Sequence, residues 1–361
     1  MISLYRYRLG FKQPFRTSGR SYPFREGVIL RYTGRGSDIV SEIAPLPGFS
    51  EESLTEVIPL LASRRQELSA FLSSVNTPEQ LLQTLKRTRY PPSVQFGISC
   101  LALHLVSSVK TGTAESLPPA GPAKKLRVNG VIGLGRDEDI RAAVHSLYRN
   151  GYRTIKFKCG PDPGTLPAIL GEAAEQYPEL TFRLDPNRCW PLEKAPGFLE
   201  KFSRLPVEYC EEPCFFEHLS QCAELKKRSA VPIALDESVR TADMIRLIAS
   251  TGAADTVILK PMLLGNIREL IETSFKKETH SINRVCTTSL ESGIGRFSVA
   301  QLASRIGSGH LAHGLDTGRL FRHDLYNTEI TGGSIDTGDG GTWCLPFNHC
   351  SMENLSKIKV L

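Results

Sequence analysis

No apolar run in this chain reaches the ~20 residues that a membrane-spanning helix needs, so a bilayer-embedded protein is not expected. The first residues, Met1-Ile-Ser-Leu-Tyr-Arg-Tyr-Arg-Leu9, alternate like a strand and lack a signal peptide's apolar core, which leads us to expect a cytoplasmic protein. No Lys/Arg block is long enough to make a nucleic-acid surface: 44 basic against 38 acidic side chains give a net charge of +6, spread along the chain. The nine cysteines include no CxxC pair and no spacing with His that suits zinc, so reduced thiols are expected. Cys210 and Cys214 read as small apolar side chains on or near a buried strand. The stretch holding Gly332, Gly333, Gly338, Gly340 and Gly341 lacks the strand–GxGxxG–helix context of a nucleotide loop and reads as turns. What remains is a mildly basic globular chain of 361 residues, 40% apolar and 23% charged. That length is too great for one ordinary domain and fits a small domain plus a barrel.

Five short segments each end on an ionisable residue: Thr154–Lys158, Phe182–Asp185, Tyr209–Glu211, Ile233–Asp236 and Val257–Lys260. From Lys158 through Asp185, Glu211 and Asp236 to Lys260 the gaps are 27, 26, 25 and 24 residues. A strand, a helix and two loops consume about that length in a parallel crossover. Charged residues at the C-terminal ends of successive strands are where a (β/α) barrel builds its active site. A single Asp after an apolar run is ordinarily a turn or a helix cap. The regular spacing raises the set above that reading.

Residues 1 to about 44 read as three antiparallel strands, with Gly27–Tyr32 and Asp38–Ile43 joined by a turn at Thr33-Gly-Arg-Gly36. The polar, glycine-bearing piece Thr17-Ser-Gly-Arg-Ser-Tyr22 is expected to be a mobile loop that closes over the site. Helical patterns follow near 51–70, 77–88 and 92–108. The last begins at Pro91 and Pro92 and sets Val94, Ile98, Leu101 and Leu105 on one stripe. The stretch Thr111–Ala123, rich in Pro, Gly, Ala and Ser, marks a domain boundary. A strand is expected at Arg127–Ile132 and a helix at Asp137–Asn150, with Ile140, Ala143, Val144 and Leu147 buried and Gly151 as its C-terminal cap. Beyond Lys260, Arg284–Ser289 and, more weakly, His310–Asp316 continue the strand series. The fold class is therefore α/β: a barrel of seven or eight β/α units (121–324), an N-terminal α+β capping domain (1–120) and a C-terminal segment (325–361) packing back on the cap.

Lys156 and Lys158 lie two apart in a strand and so project together into the barrel mouth. On an isolated strand they would mark a solvated face, but a barrel strand is buried on both faces. Mutual repulsion and partial burial are expected to lower their pKa toward the range of a general base. Asp185, Glu211 and Asp236 bring about three negative charges into one pocket, which demands a cation. All-oxygen ligation with no His or Cys nearby favours Mg²⁺.

Taken together, Lys156-x-Lys158, Asp185-Pro-Asn187, Glu211-Glu-Pro213, Asp236-Glu-Ser238 and Lys260-Pro261 resemble the signature set of the enolase superfamily, in its muconate-lactonising branch. The resemblance spans nearly the whole chain. Within that branch, Ser41-Glu-Ile-Ala-Pro-Leu-Pro-Gly-Phe-Ser50, Thr288-Ser-Leu-Glu-Ser292 and Gly314-Leu-Asp-Thr317 are similar to the o-succinylbenzoate synthases of menaquinone or phylloquinone synthesis. Pro186 departs from the small residue that many relatives carry there.

The resemblance implies an enolase-like fold and a Mg²⁺-dependent hydro-lyase, with Mn²⁺ able to substitute. Its small-molecule carboxylate substrate would be 2-succinyl-6-hydroxy-2,4-cyclohexadiene-1-carboxylate, dehydrated to o-succinylbenzoate by way of an enediolate. Enolase-superfamily sites are known for a Lys or His base working with Mg²⁺. By resemblance, Asp185, Glu211 and Asp236 are metal ligands, and Lys158 is the base and then the acid. Lys260 faces the other side of the ring as an electrostatic or cation–π support. Lys156 tunes Lys158, Asn187 and Glu237 support the ligands, and Thr288, Ser289 and the backbone at Gly314 hold the succinyl carboxylate. A second reading is an N-acylamino acid racemase or dipeptide epimerase, with Lys158 and Lys260 as bases on opposite faces. A third, a non-catalytic barrel, fits poorly with the cost of holding so much like charge in one pocket. Neither nucleic acid nor membrane is expected as a partner.

Overall fold

The computed structural model describes residues 1–17, 20–108, 125–338, 342–353 and 355–358. The boundary expected within Thr111–Ala123 lies outside the described residues, as do Gly340 and Gly341.

The chain begins with an antiparallel meander of β1 (Ile2–Thr17), β2 (Arg20–Gly34) and β3 (Ser37–Ile43). Arg35 and Gly36, at φ 53° and 73°, fill the two central positions of the β2–β3 turn. Two left-handed residues are what a two-residue hairpin matched to the strand twist requires. The Thr17–Tyr22 piece differs from the expected loop. Phe15 pairs with Tyr22, Arg16 with Ser21 and Thr17 with Arg20, so the ribbon runs almost to its tip. Backbone pairing there resumes after an irregularity between Gly10 and Phe15 and needs no apolar side chains. The Tyr22 hydroxyl donates to the carbonyl of Pro47 at 2.9 Å, tying the ribbon to the loop after β3. Ser18 and Gly19 lie outside the described residues.

Four helices follow: α1 (Leu54–Ser63), α2 (Arg65–Ser74), α3 (Pro78–Thr88) and α4 (Pro92–Ser107). The helix expected near 51–70 is thus two, meeting at Arg64, where the backbone leaves helical geometry (φ −98°, ψ 6°). Ser53 and Glu56 close a reciprocal capping box at the start of α1. α4 is buried nearly all round rather than along one stripe, because it packs against β3 on one side and residues 261–274 on the other. Gly97 permits that approach: a Cβ there would sit 2.5 Å from Ile43 Cγ1 and 3.1 Å from the Glu42 carbonyl oxygen.

The strand expected at Arg127–Ile132 is split. β4 (Lys125–Arg127) joins a small antiparallel sheet, and β5 (Gly130–Ile132) starts the barrel. Then come α5 (Asp137–Arg149), β6 (Thr154–Lys158), α6 (Leu166–Gln176), β7 (Thr181–Asp185) and α7 (Ala195–Glu200). They are followed by β8 (Val207–Glu211), α8 (Leu219–Arg228), β9 (Ile233–Leu235), α9 (Ala242–Thr251) and β10 (Thr256–Leu259). The series ends with α10 (Pro261–Leu264), α11 (Ile267–Ser274), β11 (Asn283–Cys286) and α12 (Gly293–Ile306). β5 to β11 lie side by side in sequence order, and every pair is parallel. The eighth stave is reduced to two bridges, Val128 with His313 and Thr287 with Gly314. The His313 amide donates to Arg127 and the Gly314 amide to Cys286, at 2.8 and 3.0 Å, which closes β11 back on the first strand.

The last segment is shared out. β12 (Ile330–Thr331) and β13 (Ser334–Asp336) pair across a turn at Gly332 and Gly333 and extend β4. β14 (Leu345–Pro346) adds to β3, and β15 (Leu355–Lys357) adds to β1, completing the first sheet as β14-β3-β2-β1-β15. Gly151 caps α5 as expected, at φ 86°, and a Cβ there would meet Gly332 Cα at 2.6 Å. All nine cysteines are unpaired, and all but Cys189 are buried. Among the described residues, no helix is long and apolar enough to cross a membrane.

The first sheet is locked to the barrel by a buried carboxylate. Glu42, on β3, is fully buried and accepts from the Tyr7 hydroxyl at 2.5 Å, the Ser292 amide at 3.0 Å, the Gly295 amide at 2.8 Å and the Ser292 hydroxyl. It therefore caps the first turn of α12, where a negative charge is favoured. Arg25 reaches over the same seam and donates to the carbonyls of Pro45 at 2.8 Å and Leu290 at 3.2 Å. Glu291 is fully buried beside them. One of its oxygens accepts the Ser289 amide at 2.6 Å and the other has no partner. Burial, reinforced by Glu42, pushes its carboxyl up to about 7 although Arg25 opposes the shift.

Two outcomes follow from this packing. Gly97→Val is expected to lower stability by about 1–3 kcal/mol through overpacking of α4 on β3, read from denaturant unfolding. Because Glu291 titrates higher in the folded chain than in the unfolded one, its favourable contribution is present below ~4.3 and is lost as pH rises through about 7. Glu291→Gln should therefore gain on the wild type by about 2–3 kcal/mol between pH 5 and pH 8. A mutant-to-wild-type difference that does not change with pH would refute this.

Candidate active site

The five charged residues picked out by their spacing come together at the C-terminal ends of neighbouring strands. Lys156 and Lys158 are on β6, Asp185 ends β7, Glu211 ends β8, Asp236 lies one residue past β9 and Lys260 one past β10. β6 and β10 are the second and sixth staves of the barrel, so Lys158 and Lys260 approach from opposite sides with the carboxylates between them. Lys156 Nζ is 2.6 Å from Asp185 Oδ2 and 2.7 Å from Glu211 Oε1. Lys158 Nζ donates to Asp185 Oδ2 and Asn187 Oδ1, both at 2.6 Å, and Lys260 pairs with Asp236. Lys260 Nζ also stands 5.9 Å from the centre of the Phe49 ring, within cation–π range.

Burial makes this arrangement electrostatically demanding. Asp185, Glu211 and Asp236 are 1%, 2% and 5% exposed, so water does little to screen them. Burial alone would raise the Asp185 carboxyl, but Lys156 and Lys158 outweigh it and hold Asp185 below the usual carboxylate range. Glu211 shares Lys156 and lies beside both aspartates. Burial and its like-charged neighbours push it up to about 8. Lys156 moves against the expectation from sequence. Burial would lower Lys156 and Lys260, but the surrounding carboxylates dominate and raise both. For Lys156 the attraction of Asp185, Glu211 and Asp236 prevails.

No group of His, Cys, Asp and Glu among the described residues closes on a metal-sized centre by itself, since ammonium groups lie between the carboxylates. The donor set nonetheless fits a hard divalent cation. Three buried carboxylates on adjacent strands offer only oxygen, the donor type that such ions prefer.

Around this cluster the backbone takes conformations that side-chain-bearing residues seldom adopt. Asn187, Arg188 and Glu212 have φ of 49°, 64° and 40°. The turn after β7 folds Asn187 back so that its amide nitrogen donates to Asp185 Oδ1 at 3.1 Å. Its side-chain Nδ2 reaches Glu237 Oε1 at 3.3 Å. The supporting positions expected for Asn187 and Glu237 thus lie beside the cluster. In the sequence reading Glu212 and Arg188 have no role, yet Glu212 is fully buried and pairs with Arg188 at 2.6 Å. The doubled acid in Glu211-Glu-Pro213 was the one available signal.

The three residues expected around the succinyl group divide. The Ser289 hydroxyl is buried with no hydrogen-bond partner. The Thr288 hydroxyl is 2.8 Å from that of Thr317 and donates to the Gly314 carbonyl at 3.3 Å. The amide of Gly314 bonds Cys286 and its carbonyl accepts from Thr288, both at 3.0 Å, which leaves no free N–H there for a ligand. Gly314 instead allows close approach: a Cβ would lie 2.3 Å from Thr287 Oγ1. A cavity of about 410 Å³ opens between the β1–β2 ribbon and the loop after β3, lined by Phe11, Tyr22, Phe24, Arg25, Leu46 and Leu290. The lysines do not line it; Leu290, next to Ser289 in the sequence, does.

Comparison with known proteins bears on the family of the chain. Residues 139–340 match the profile described as enolase C-terminal domain-like, and residues 1–105 match that of the MenC N-terminal domain. The o-succinylbenzoate synthase of Haemophilus influenzae is 28% identical over 90% of this chain and 92% of its own length. That of Pectobacterium atrosepticum is 29% identical over 91% and 92%. The muconate lactonizing enzyme of Pseudomonas fluorescens, solved with muconolactone, superposes with a TM-score of 0.78 at 17% identity, covering 97% of this chain and 95% of that one. With a profile spanning more than half of its length and the same fold throughout, this chain belongs to the enolase superfamily and is an enzyme.

Proposed function

We propose that this enzyme dehydrates 2-succinyl-6-hydroxy-2,4-cyclohexadiene-1-carboxylate to o-succinylbenzoate, a step of menaquinone or phylloquinone synthesis. One observation carries the reading: Lys158 and Lys260 oppose each other across three buried carboxylates, in a chain that matches curated synthases over about nine-tenths of its length. A Mg²⁺ ion held by Asp185, Glu211 and Asp236, or Mn²⁺ in its place, would supply positive charge beside the substrate carboxylate as its α-proton leaves.

The residues of the chain account for the remaining requirements. Lys158 takes the α-proton on one face of the ring and returns it to the departing hydroxide, so that proton and hydroxide leave together as water. Asn187 Oδ1 and Asp185 Oδ2, each 2.6 Å from Lys158 Nζ, fix where that proton is held. Lys260, kept cationic by Asp236, faces the other side and stabilises developing negative charge. The Ser289 hydroxyl, buried without a partner, is suited to a polar group of the succinyl arm. The same opposition of lysines would also serve an N-acylamino acid racemase, in which Lys260 must transfer a proton rather than hold charge.

Lys158→Ala is expected to lose ~10²–10⁴-fold or more of the dehydration rate, measured as o-succinylbenzoate formed, since one group serves both proton transfers. Excess chelator should abolish that rate; full activity in chelator contradicts the metal assignment. Lys260→Arg keeps its charge but provides no usable acid or base near neutral pH. It should retain part of the dehydration and lose any inversion of N-acylamino acids. A wild type that racemises efficiently and forms no o-succinylbenzoate would replace this reading with the second one.

A further inference from the structure

We propose that Glu212, Arg188 and Ser238 form a clasp that sets the spacing of the Asp185, Glu211 and Asp236 carboxylates, and with it the affinity of the site for a divalent cation. The inference rests on the reading of those carboxylates as metal ligands. Glu212 follows Glu211 directly but makes none of the lysine contacts. Its carboxylate turns away from the mouth and collects five donors. One oxygen accepts the Asp236 amide at 2.8 Å and the Ser238 amide at 3.4 Å. The other accepts Arg188 Nη2 at 2.6 Å, Arg188 Nε at 3.1 Å and the Ser238 hydroxyl. The backbone reinforces the tie, with the Arg188 amide on the Glu212 carbonyl at 2.9 Å and the Glu212 amide on the Ala234 carbonyl at 2.8 Å.

The three strand ends that present carboxylates are therefore joined in series, each link lying within three residues of the carboxylates it connects. Asp and Glu side chains are short, so the backbone governs how far apart their oxygens lie. Mg²⁺ binds at ~2.0–2.1 Å in near-ideal octahedral geometry and tolerates little error in that spacing. The left-handed φ of Arg188 and Glu212, 64° and 40°, is a conformation that a free chain would relax out of. The clasp holds it in place. Arg188, Glu212 and Ser238 are positioning residues; none of them needs to touch substrate or cation.

Mn²⁺ binding to the purified full chain without substrate, followed by titration calorimetry or electron paramagnetic resonance, tests the proposal. Glu212→Gln keeps the shape but not the charge and should weaken Mn²⁺ binding ~10–100-fold, the usual cost of losing an outer partner of a metal ligand. Ser238→Ala and Arg188→Lys should each weaken it several-fold, and raising Mn²⁺ should restore turnover more fully than in Lys158→Ala. If Glu212→Gln does not fold, the two milder variants carry the measurement. Variants with wild-type Mn²⁺ affinity and only a lower melting temperature would overturn the clasp, leaving an ordinary structural ion pair. A wild type that binds no Mn²⁺ overturns both the clasp and the metal reading. A wild type that binds Mn²⁺ but forms no o-succinylbenzoate removes the assigned reaction alone, and the clasp still stands or falls on the affinities.

Discussion

Buried like charge is the constraint on which the rest of the structure depends. Two unit charges 4 Å apart interact with about 4 kcal/mol at the effective dielectric of a protein surface, and more strongly where water is excluded. Asp185, Glu211 and Asp236 face that repulsion while almost wholly buried. The lysines relieve it pairwise, two on Asp185, one shared with Glu211 and one on Asp236. Behind them a second pair, Arg188 and Glu212, is neutral as a unit and adds no net charge while anchoring the strand ends. A parallel barrel suits this task because every strand delivers its last residue to the same mouth from a rigid neighbour-bonded frame.

Much of this was legible because it is local. A strand, its helix and two loops have a characteristic length, so the spacing from Lys158 to Lys260 announced both the architecture and the residues at the mouth. The barrel's closure was harder to read. Among the described residues, only His313 and Gly314 complete the ring, and two bridging residues leave no alternation to detect. The ribbon through Thr17 and Arg20 looked like a loop because its composition is polar; backbone pairing, which composition does not report, holds it extended. The shift of Lys156 runs opposite to the expected one for a related reason. Neighbours two apart in sequence were weighed against each other, while the carboxylates that prevail come from strands 27 or more residues away. The pairing of Glu212 with Arg188 has no signal beyond the doubled acid, since partners 24 residues apart meet through left-handed turns that no glycine marks.

Glu42 shows the same economy on the other side of the mouth. α12 follows the β11 end of the barrel, a place where the exposed amides of a helix start can hold an anion. Here those amides meet carboxylates of the chain itself: Gly295 meets Glu42, and Gly293 meets Asp324 at 2.7 Å. The helix start thereby becomes a mechanical joint between the first sheet and the barrel, and Tyr7 and Arg25 complete it from the neighbouring strands.

The composition of that first sheet bears on how the chain is made. Its middle strands, β1 to β3, precede the barrel in the sequence, but both of its outer strands, β14 and β15, follow it. While the barrel is being built, the sheet stands with two unpaired edges, the situation in which β structure recruits unintended partners. Completion of the cap is thus postponed until after the barrel strands exist, and one sheet stitches together segments from before and after the barrel. Damage to β14 or β15, far in sequence from any charged residue of the mouth, would be felt first as a cap that frays.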